Sequence, residues 1–166
     1  MRAPGTDTID IAAVTAGLTT ALTQYQRSGM AAPVIGTSVR MIALDADGMC
    51  QVRRLSGVKS GVVVHLDPEI TPLAGEIVEN YETCVSIPRT TGLVARPSRI
   101  RYRAITSSGD PVDWELFGRA ARVVAHQVDH LDGVLFLDHA DPSSVATLPG
   151  LSRGDSDDDR TGGFVR

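Results

Sequence analysis

The segment WELFGRAARVVAHQVDHLDG, residues 114–133, decides how we expect this chain to fold. Its apolar residues recur every three to four positions, the spacing that places them on one face of an α-helix. Gly133 follows the last of them and favours the left-handed conformation that ends many helices. We therefore predict a long buried helix here. Its apolar positions are Leu116, Phe117, Ala120, Val123, Val124, Val128 and Leu131.

The same helix carries two histidines, His126 and His130, four residues apart. At this spacing both imidazoles project from one face, one turn apart, so their nitrogens can converge on a single ion. For an isolated HxxxH the alternative is two histidines on a partly buried helical face with no ion. The segment HQVDH is, however, close to HExxH, in which both histidines bind metal and the glutamate moves protons.

A third ligand is available at Cys84, in the segment ETCVSIP at 82–88. One thiolate and two imidazoles hold a transition metal with a fourth position open, an arrangement typical of a catalytic rather than a structural site. We expect Cys50, outside every motif, to be a free structural thiol, because a reducing cytosol disfavours a disulfide. We expect His65 to be a hydrogen-bonded core histidine and His139 to have no functional role.

The segments before the helix predict strands, so the fold class we expect is α+β, with antiparallel sheets around the central helix. A period near 3.6 between Thr8 and Arg27 predicts one further, N-terminal helix. The first predicted strand is 38–48, with a possible hairpin partner at 49–54. A second strand is predicted at 61–70, ended by Pro68, and Pro88 is expected to stop the pairing of the segment 81–88. A further hairpin is predicted over 92–114, with a Ser-Gly-Asp turn.

The composition and charge of the chain exclude some classes of partner. The chain has 166 residues, 42% of them hydrophobic and 22% charged, with a formal net charge of −4. We therefore expect a soluble, cytoplasmic protein with no nucleic-acid or membrane partner, because it offers neither a positive field nor a long apolar run. A single domain is expected over residues 1–140. Residues 141–166, with the acidic run DSDDDR at 155–160, are expected to be a flexible tail.

Three motifs in order resemble those of the peptide deformylase family. RSGMAAPVIG at 27–36 resembles GxGLAAxQxG, ETCVS at 82–86 resembles EGCLS, and HQVDH at 126–130 followed by LDG resembles HExDH followed by LxG. DPEI at 67–70, Arg96 and GRAARVVAHQ at 118–127 extend the likeness to roughly residues 9–138.

The resemblance implies a deformylase-like fold and a divalent metal ion bound by Cys84, His126 and His130. In the family this ion is ferrous iron, with zinc or nickel as common substitutes. It also implies hydrolysis of an N-formyl or related amide bond on a peptide N-terminus or small molecule, by a monomer or small homo-oligomer.

Two catalytic positions depart from the family pattern. Gln127 stands where the family has the glutamate that moves protons, and an amide cannot do this. Val34 stands where the family has a glutamine that donates a hydrogen bond to the oxyanion. The backbone N–H of Val85 remains a candidate oxyanion donor, and Gln127 itself is a further one.

The substrate pocket also departs from the family. Thr83 replaces the glycine before the metal-binding cysteine, and Arg119 and Asn80 stand at positions that are normally apolar. We expect the pocket to include Gly29, Met30, Val34, Thr83, Arg96 and Arg119. Glu82 and Asp129 are expected to orient the ligands or pair with an arginine, and Glu82 is an alternative proton acceptor.

Three functions fit these residues. The first is a metal-dependent hydrolase with deformylase-like activity and an altered catalytic pair. The second is a metal-binding homologue without turnover, which the combination of Gln127 and Val34 favours. The third is a metalloenzyme with new chemistry on a small polar or anionic metabolite, which Arg119 favours.

Overall fold

The structure, a computed structural model, describes residues 9–149. Within that range helices pack on antiparallel sheets, so the predicted α+β class is confirmed. None of these helices is long and apolar enough to cross a membrane. The helices are α1 (Ile11–Gln24), α2 (Cys50–Ser56), α3 (Gly118–Leu131) and α4 (Phe136–His139). The strands are β1 (Gly29–Ala31), β2 (Met41–Asp45), β3 (Val62–Pro72), β4 (Ile77–Cys84), β5 (Ile87–Pro97), β6 (Arg99–Thr106), β7 (Pro111–Phe117) and β8 (Ala146–Thr147).

The strands form two sheets. The larger has the order β1-β2-β3-β6-β7, and the smaller has the order β4-β5-β8. Every pairing between these strands is antiparallel. Strand β4 of the smaller sheet ends at Cys84, and α3 brings the two predicted metal-binding histidines close to this residue.

Strand β2 shows why the larger sheet has a core on both faces. Met41 and Ala43 belong to the cluster that includes Leu18 of α1, whereas Ile42 and Leu44 belong to the cluster that includes α3. Alternate side chains of a strand point to opposite faces, so four consecutive residues supply both cores. The residues Met41 to Leu44 are all fully buried, which anchors α3 firmly against the sheet.

The predicted strand at 49–54 is wrong, because these residues form helix α2. The Asp45 carboxylate accepts hydrogen bonds from the backbone N–H groups of Asp47 and Gly48, which closes a turn at the end of β2. Met49 and Val52 lie three positions apart and are both buried, which is a helical spacing. The sequence by itself instead predicts a strand here.

Pro68 and Pro88 were predicted to end strand pairing, but both lie within strands. Pro68 lies within β3, where the register with β6 shifts between Leu66 and Glu69. Pro88 lies within β5, at the shift between the Cys84↔Ile87 and Thr83↔Thr91 pairs. A bulged position requires no ladder hydrogen bond from its N–H, so proline is tolerated there and the strand continues beyond it.

The central helix is confirmed, but it begins at Gly118 and not at Trp114. Residues 114–117 continue β7, where Trp114 pairs with Tyr102 and Leu116 with Ile100. Gly118 has φ +58°, a left-handed conformation suited to glycine that separates strand from helix. The predicted 92–114 hairpin is thus longer, because its last strand also includes the apolar residues at 116 and 117 that were predicted to be helical.

The chain continues past the predicted domain boundary at residue 140. A 3₁₀ turn at Pro142–Ser144 is followed by β8, and Ala146 and Thr147 pair with Thr91 and Thr90 of β5. The remainder of the predicted tail, residues 150–166 with the acidic run, lies outside the described residues.

His65 is a buried core histidine, as the sequence predicts. It is 2% exposed, and its Nδ1 lies 2.9 Å from the hydroxyl oxygen of Tyr102. Burial raises the pKa of Tyr102, so the phenol stays protonated and donates this bond. Burial also lowers the pKa of His65 to about 4, which keeps its imidazole neutral at physiological pH.

We expect His65 to make the fold less stable in mild acid. Between its ordinary pKa of 6.5 and its folded pKa of about 4, the unfolded chain binds a proton that the folded chain does not. The free energy of unfolding should therefore fall by about 3 kcal/mol as the pH drops across this window, and His65→Gln should remove that slope. Urea unfolding at several pH values measures it. His139→Gln, at a 45% exposed side chain, is the control; an unchanged slope in His65→Gln would contradict the assignment.

Candidate metal centre

Three side chains bring ligand atoms together at the end of β4 and on one face of α3. The Cys84 Sγ lies 3.1 Å from the His130 Nε2, which lies 3.2 Å from the His126 Nε2. All three ligand atoms lie within 4.8 Å of one another. Cys84 and His130 are 6% and 8% exposed, and the His126 side chain is 11% exposed. The predicted ligands thus converge in an interior location.

This donor set fits a divalent metal ion. Sulfur and nitrogen ligands at about 2.0–2.3 Å from a tetrahedral ion lie about 3.3–3.6 Å from one another, close to the 3.1 Å between Cys84 Sγ and His130 Nε2 and the 3.2 Å between the two Nε2 atoms. A thiolate with two imidazoles is also the soft and borderline ligand chemistry that iron, zinc and nickel accept. Cys84, His126 and His130 are therefore the residues that would hold the ion.

The ionisation of the site suits metal binding. Burial alone would raise the pKa of the Cys84 thiol, but hydrogen bonds with His126 and His130 outweigh it and lower the pKa to about 5. Burial alone would lower the pKa of His126, but hydrogen bonds with Cys84 and Glu82 raise it. The thiol is thus held as the thiolate, which is the form that binds metals.

Glu82 orients His126. Its Oε2 lies 2.9 Å from His126 Nδ1, so Nδ1 carries a proton towards the carboxylate and Nε2 faces the other two ligand atoms. Burial opposes ionisation of Glu82, but hydrogen bonds from His126 and Arg96 hold its pKa far below the ordinary value. Glu82 is consequently a poor proton acceptor, which weakens the alternative that it replaces the missing base.

Two arginines complete a buried ionic network around Glu82. Arg96 donates from Nε and Nη2 to the two Glu82 oxygens at 2.6 and 2.9 Å, and from Nη1 to Asp129 Oδ2 at 2.8 Å. Arg122 Nη1 donates to Glu82 Oε1 at 2.7 Å and to the Val94 carbonyl at 3.0 Å. Both carboxylates therefore pair with an arginine, as the sequence predicts, and β4 and β5 are tied to α3.

Replacing Glu82 with glutamine should weaken both the fold and the metal site. Neutralising one partner of a buried ion network leaves Arg96 and Arg122 undercompensated, at a cost of about 3 kcal/mol in the free energy of unfolding. Loss of the carboxylate that orients His126 should also lower metal affinity about 10- to 100-fold. Urea unfolding and competitive metal titration measure the two effects.

The matched control is Glu115→Gln. Glu115 pairs with Arg99 on the sheet surface, where both side chains are about half exposed, so its loss should cost about 0–1 kcal/mol. Metal affinity should not change in this variant. If the two substitutions lowered the free energy of unfolding equally, the buried Glu82 network would contribute no more to stability than an exposed ion pair, which would contradict the prediction.

The ligands open into a cavity of about 790 Å³. The structure places every predicted pocket and catalytic residue on its wall: Gly29, Met30, Val34, Thr83, Val85, Arg96, Arg119 and Gln127. Gly29 is required by close packing, because a Cβ there would lie 2.9 Å from both Gln127 Cγ and Val123 Cγ1. Gln127 is held at the wall of the cavity and is 8% exposed.

Sequence reasoning missed several cavity residues, among them Arg27, Ser28 and Arg122. Arg122 had a signal in the sequence, because it lies four residues before His126 and hence on the same face of α3. Arg27 and Ser28 belong to the segment RSGMAAPVIG but precede β1, and only the tertiary structure brings them to the cavity. Arg119 Nη2 donates to Ser28 Oγ at 2.7 Å.

Sequence comparison gives one family. The model of the family described as polypeptide deformylase matches residues 3–146. Peptide deformylase 1 of Prochlorococcus marinus is 38% identical over 114 residues, which cover 69% of this chain and 59% of that protein. Peptide deformylase 1 of Nitrosomonas europaea is 36% identical, covering 66% and 61% of the two chains. The match thus spans about three fifths of the length of these relatives.

Structural comparison agrees. A peptide deformylase of Synechococcus elongatus, solved in complex with actinonin, has a TM-score of 0.70 and 26% identity, covering 86% of this chain and 73% of that one. The peptide deformylase of Thermus thermophilus has a TM-score of 0.67 and 31% identity, covering 84% and 77%. A deformylase of Acinetobacter baumannii solved with Met-Ala-Ser bound has a TM-score of 0.65 and 25% identity, covering 83% and 86%.

The match to the family model covers most of the chain, and the solved peptide deformylases share its fold at TM-scores of 0.65 to 0.70. The three ligand residues lie in the segments whose motifs suggested the same family. This chain belongs to the peptide deformylase family.

Proposed function

We propose that this protein hydrolyses an N-formyl or related amide bond at a divalent metal ion bound by Cys84, His126 and His130. The observation that carries the proposal is the meeting of these three ligand atoms on the wall of a large cavity. We propose a formylated peptide N-terminus or a similar small molecule as the substrate class, and the relative solved with Met-Ala-Ser bound supports this choice.

A bound ion would supply Lewis-acid polarisation of the amide oxygen and a water of lowered pKa. Among the family's metals, ferrous iron is our proposal for the native ion, with zinc or nickel as substitutes. The Glu82 carboxylate keeps His126 in the tautomer that presents Nε2, and Ser86 donates its backbone N–H to Cys84 Sγ at 3.4 Å. These bonds hold the ligands in place during turnover.

The remaining cavity residues would position the substrate. The backbone N–H of Val85 follows the Cys84 ligand and is our candidate donor to the developing oxyanion, together with the side-chain amide of Gln127. Met30 and Val34 supply apolar wall. Because Gln127 cannot transfer protons, we propose that turnover of formyl-methionyl peptides is slower than in relatives with a glutamate, by about 10²- to 10⁴-fold.

Metal analysis and a formyl-hydrolysis assay test the proposal together. Protein purified without air should contain about one equivalent of iron, zinc or nickel, and release of formate from formyl-Met-Ala-Ser should be slow but metal-dependent. A chain that stays metal-free on titration would contradict the site. A chain that binds the ion and hydrolyses no formyl or amide substrate would instead be the binding homologue without turnover.

A further inference from the structure

The side-chain amide of Gln127 has no hydrogen-bond partner among residues 9–149, the part of the chain that the structure describes. Gln127 is only 8% exposed and lies on the wall of the cavity. Every fully buried side-chain nitrogen or oxygen atom in the same range has a partner. The amide atoms of Gln127 must therefore reach the open space of the cavity, where a ligand can contact them.

Close packing fixes the direction of this side chain. A Cβ on Gly29 would lie 2.9 Å from Gln127 Cγ and 3.3 Å from its Cδ, so the side chain passes directly over the backbone of β1. The same Cβ would lie 2.9 Å from Cγ1 of Val123, one turn earlier on α3. The amide is thus held in position before a ligand arrives, which reduces the entropy lost on binding.

The amide also lies beside the predicted metal ligands. Gln127 follows His126 in α3 and precedes His130 by three residues. Residues three apart on a helix are surface neighbours, with about 5–6 Å between their Cβ atoms. A group bound by Gln127 would therefore lie next to these two imidazoles.

A glutamine amide offers an acceptor and donors side by side in one plane, because Oε1 accepts and Nε2 donates. A ligand that displaces water from this buried amide must satisfy both ends, since an unpaired polar group lowers affinity. A formyl group satisfies one end only. Its oxygen can accept from Nε2, but a hydrogen on carbon then faces Oε1, and the N–H of a trans amide points away from the oxygen.

A carbamoyl group, –CO–NH2, satisfies both ends of the Gln127 amide. Its oxygen accepts from Nε2 while an N–H on the same side of the group donates to Oε1, which gives two parallel hydrogen bonds. The group exceeds formyl by one NH2, and a cavity of about 790 Å³ has room for it. An ionised glutamate at position 127 has no donor and could not form this pair. The glutamine therefore favours a ligand with an amide edge.

We propose that Gln127 recognises a carbamoyl group and that the substrate is an N-carbamoyl amino acid or peptide. Hydrolysis would break the bond between the carbonyl carbon and the amine nitrogen. One water supplies a hydroxyl group to the carbon and a proton to the leaving amine, and the carbamic acid that forms decomposes to carbon dioxide and ammonia. The reaction rests on the proposed hydrolase function, whereas recognition by Gln127 requires no turnover.

Two peptides of the same shape test the recognition. Carbamoyl-Met-Ala-Ser and acetyl-Met-Ala-Ser differ only in an NH2 that replaces a methyl group, and the methyl group cannot donate to Oε1. We expect the zinc-loaded protein to bind the carbamoyl peptide about 10-fold more tightly in calorimetry. Equal affinity for the two peptides, or tighter binding of formyl-Met-Ala-Ser than of the carbamoyl peptide, would overturn the proposal.

Substitutions at position 127 assign the effect to this side chain. Gln127→Met keeps the length of the side chain and removes both polar ends, so the preference for carbamoyl over acetyl should disappear. Gln127→Glu keeps the shape and removes the donor, so affinity for the carbamoyl peptide should fall several-fold although deformylation rises. Gln24→Met, at the exposed end of α1 and outside the cavity wall, is the control and should keep the full preference. A preference that survives both substitutions at position 127 would overturn the assignment.

The two proposals fail in distinguishable ways. If neither carbamoyl-Met-Ala-Ser nor formyl-Met-Ala-Ser is hydrolysed but the carbamoyl peptide binds more tightly than its acetyl isostere, recognition by Gln127 stands and the hydrolase function fails. If formyl-Met-Ala-Ser is hydrolysed and the carbamoyl and acetyl peptides bind equally, the hydrolase function stands and the recognition fails. Ammonia release measures hydrolysis of the carbamoyl peptide, and formate release measures that of the formyl peptide.

Discussion

Replacing Cys84 with alanine is expected to abolish binding of the divalent ion and every metal-dependent activity of the protein. Cys84 supplies the only thiolate of the ligand set, and its Sγ lies 3.1 Å from the Nε2 of His130. Removing a group that merely orients a ligand lowers metal affinity about 10- to 100-fold, so removing the ligand itself should lower it further. Metal content after dialysis and competitive titration of the purified chain provide the measurement.

The other cysteine is a matched control for this substitution. Cys50 is exposed on α2 and, like Cys84, is a free thiol. Cys50→Ala should therefore retain about one equivalent of metal. Cys84→Ser, which is closer in size, separates loss of the ligand from a packing defect at a residue that is 6% exposed. Full metal content in Cys84→Ala would move the site away from the end of β4.

Substituting Gln127 with glutamate is expected to give the largest gain in deformylation. A carboxylate at this position can accept and return a proton, a contribution of about 10²- to 10⁴-fold. Glutamate has the shape of glutamine, so it fits the space bounded by Gly29. Adding Val34→Gln should supply an oxyanion donor worth about 10²- to 10³-fold in turnover. The readout is kcat/KM for formyl-Met-Ala-Ser.

The pH profile distinguishes proton transfer from a general change in the site. Gln127→Glu should introduce an ionisation into the profile of kcat/KM that the original protein lacks. Gln24→Glu adds the same charge at the exposed end of α1, outside the cavity wall, and should change neither rate nor profile. If the double variant gains no rate on formyl-Met-Ala-Ser, the catalytic pair is not what limits this protein, and the pocket becomes the explanation.

Local spacing accounts for what could be predicted from the sequence. The helical period of 114–133 predicted α3 and placed His126 and His130 on one face, and the three motifs supplied Cys84 as the third ligand. The helix and the placement of its histidines need only neighbouring residues, whose separation along the chain defines their geometry, whereas Cys84 rests on the resemblance to the family motifs. Boundaries were less accurate, because the apolar residues at 116 and 117 satisfy a strand period as well as a helical one, and β7 passes directly into α3 at Gly118.

Contacts between distant segments were decided only by the tertiary structure. The segment 49–54 becomes α2 because the Asp45 turn turns the chain away from β2, although its alternation fits a strand. Pro68 and Pro88 remain within strands because register shifts between partners remove the need for an N–H. No local pattern encodes a register shift, since it depends on the partner strand.

For the metal centre, too, some features were predicted from the sequence and others depend on the tertiary structure. The sequence by itself predicted the three ligands: helical spacing placed His126 and His130 on one face, and the resemblance to the family motifs added Cys84. Only the tertiary structure decided that Glu82 binds His126 Nδ1 together with Arg96 and Arg122, and that Arg27 and Arg119 reach the same cavity. The physical reason is that these side chains come from β4, β5, α3 and the segment before β1, which meet only when the two sheets pack around α3.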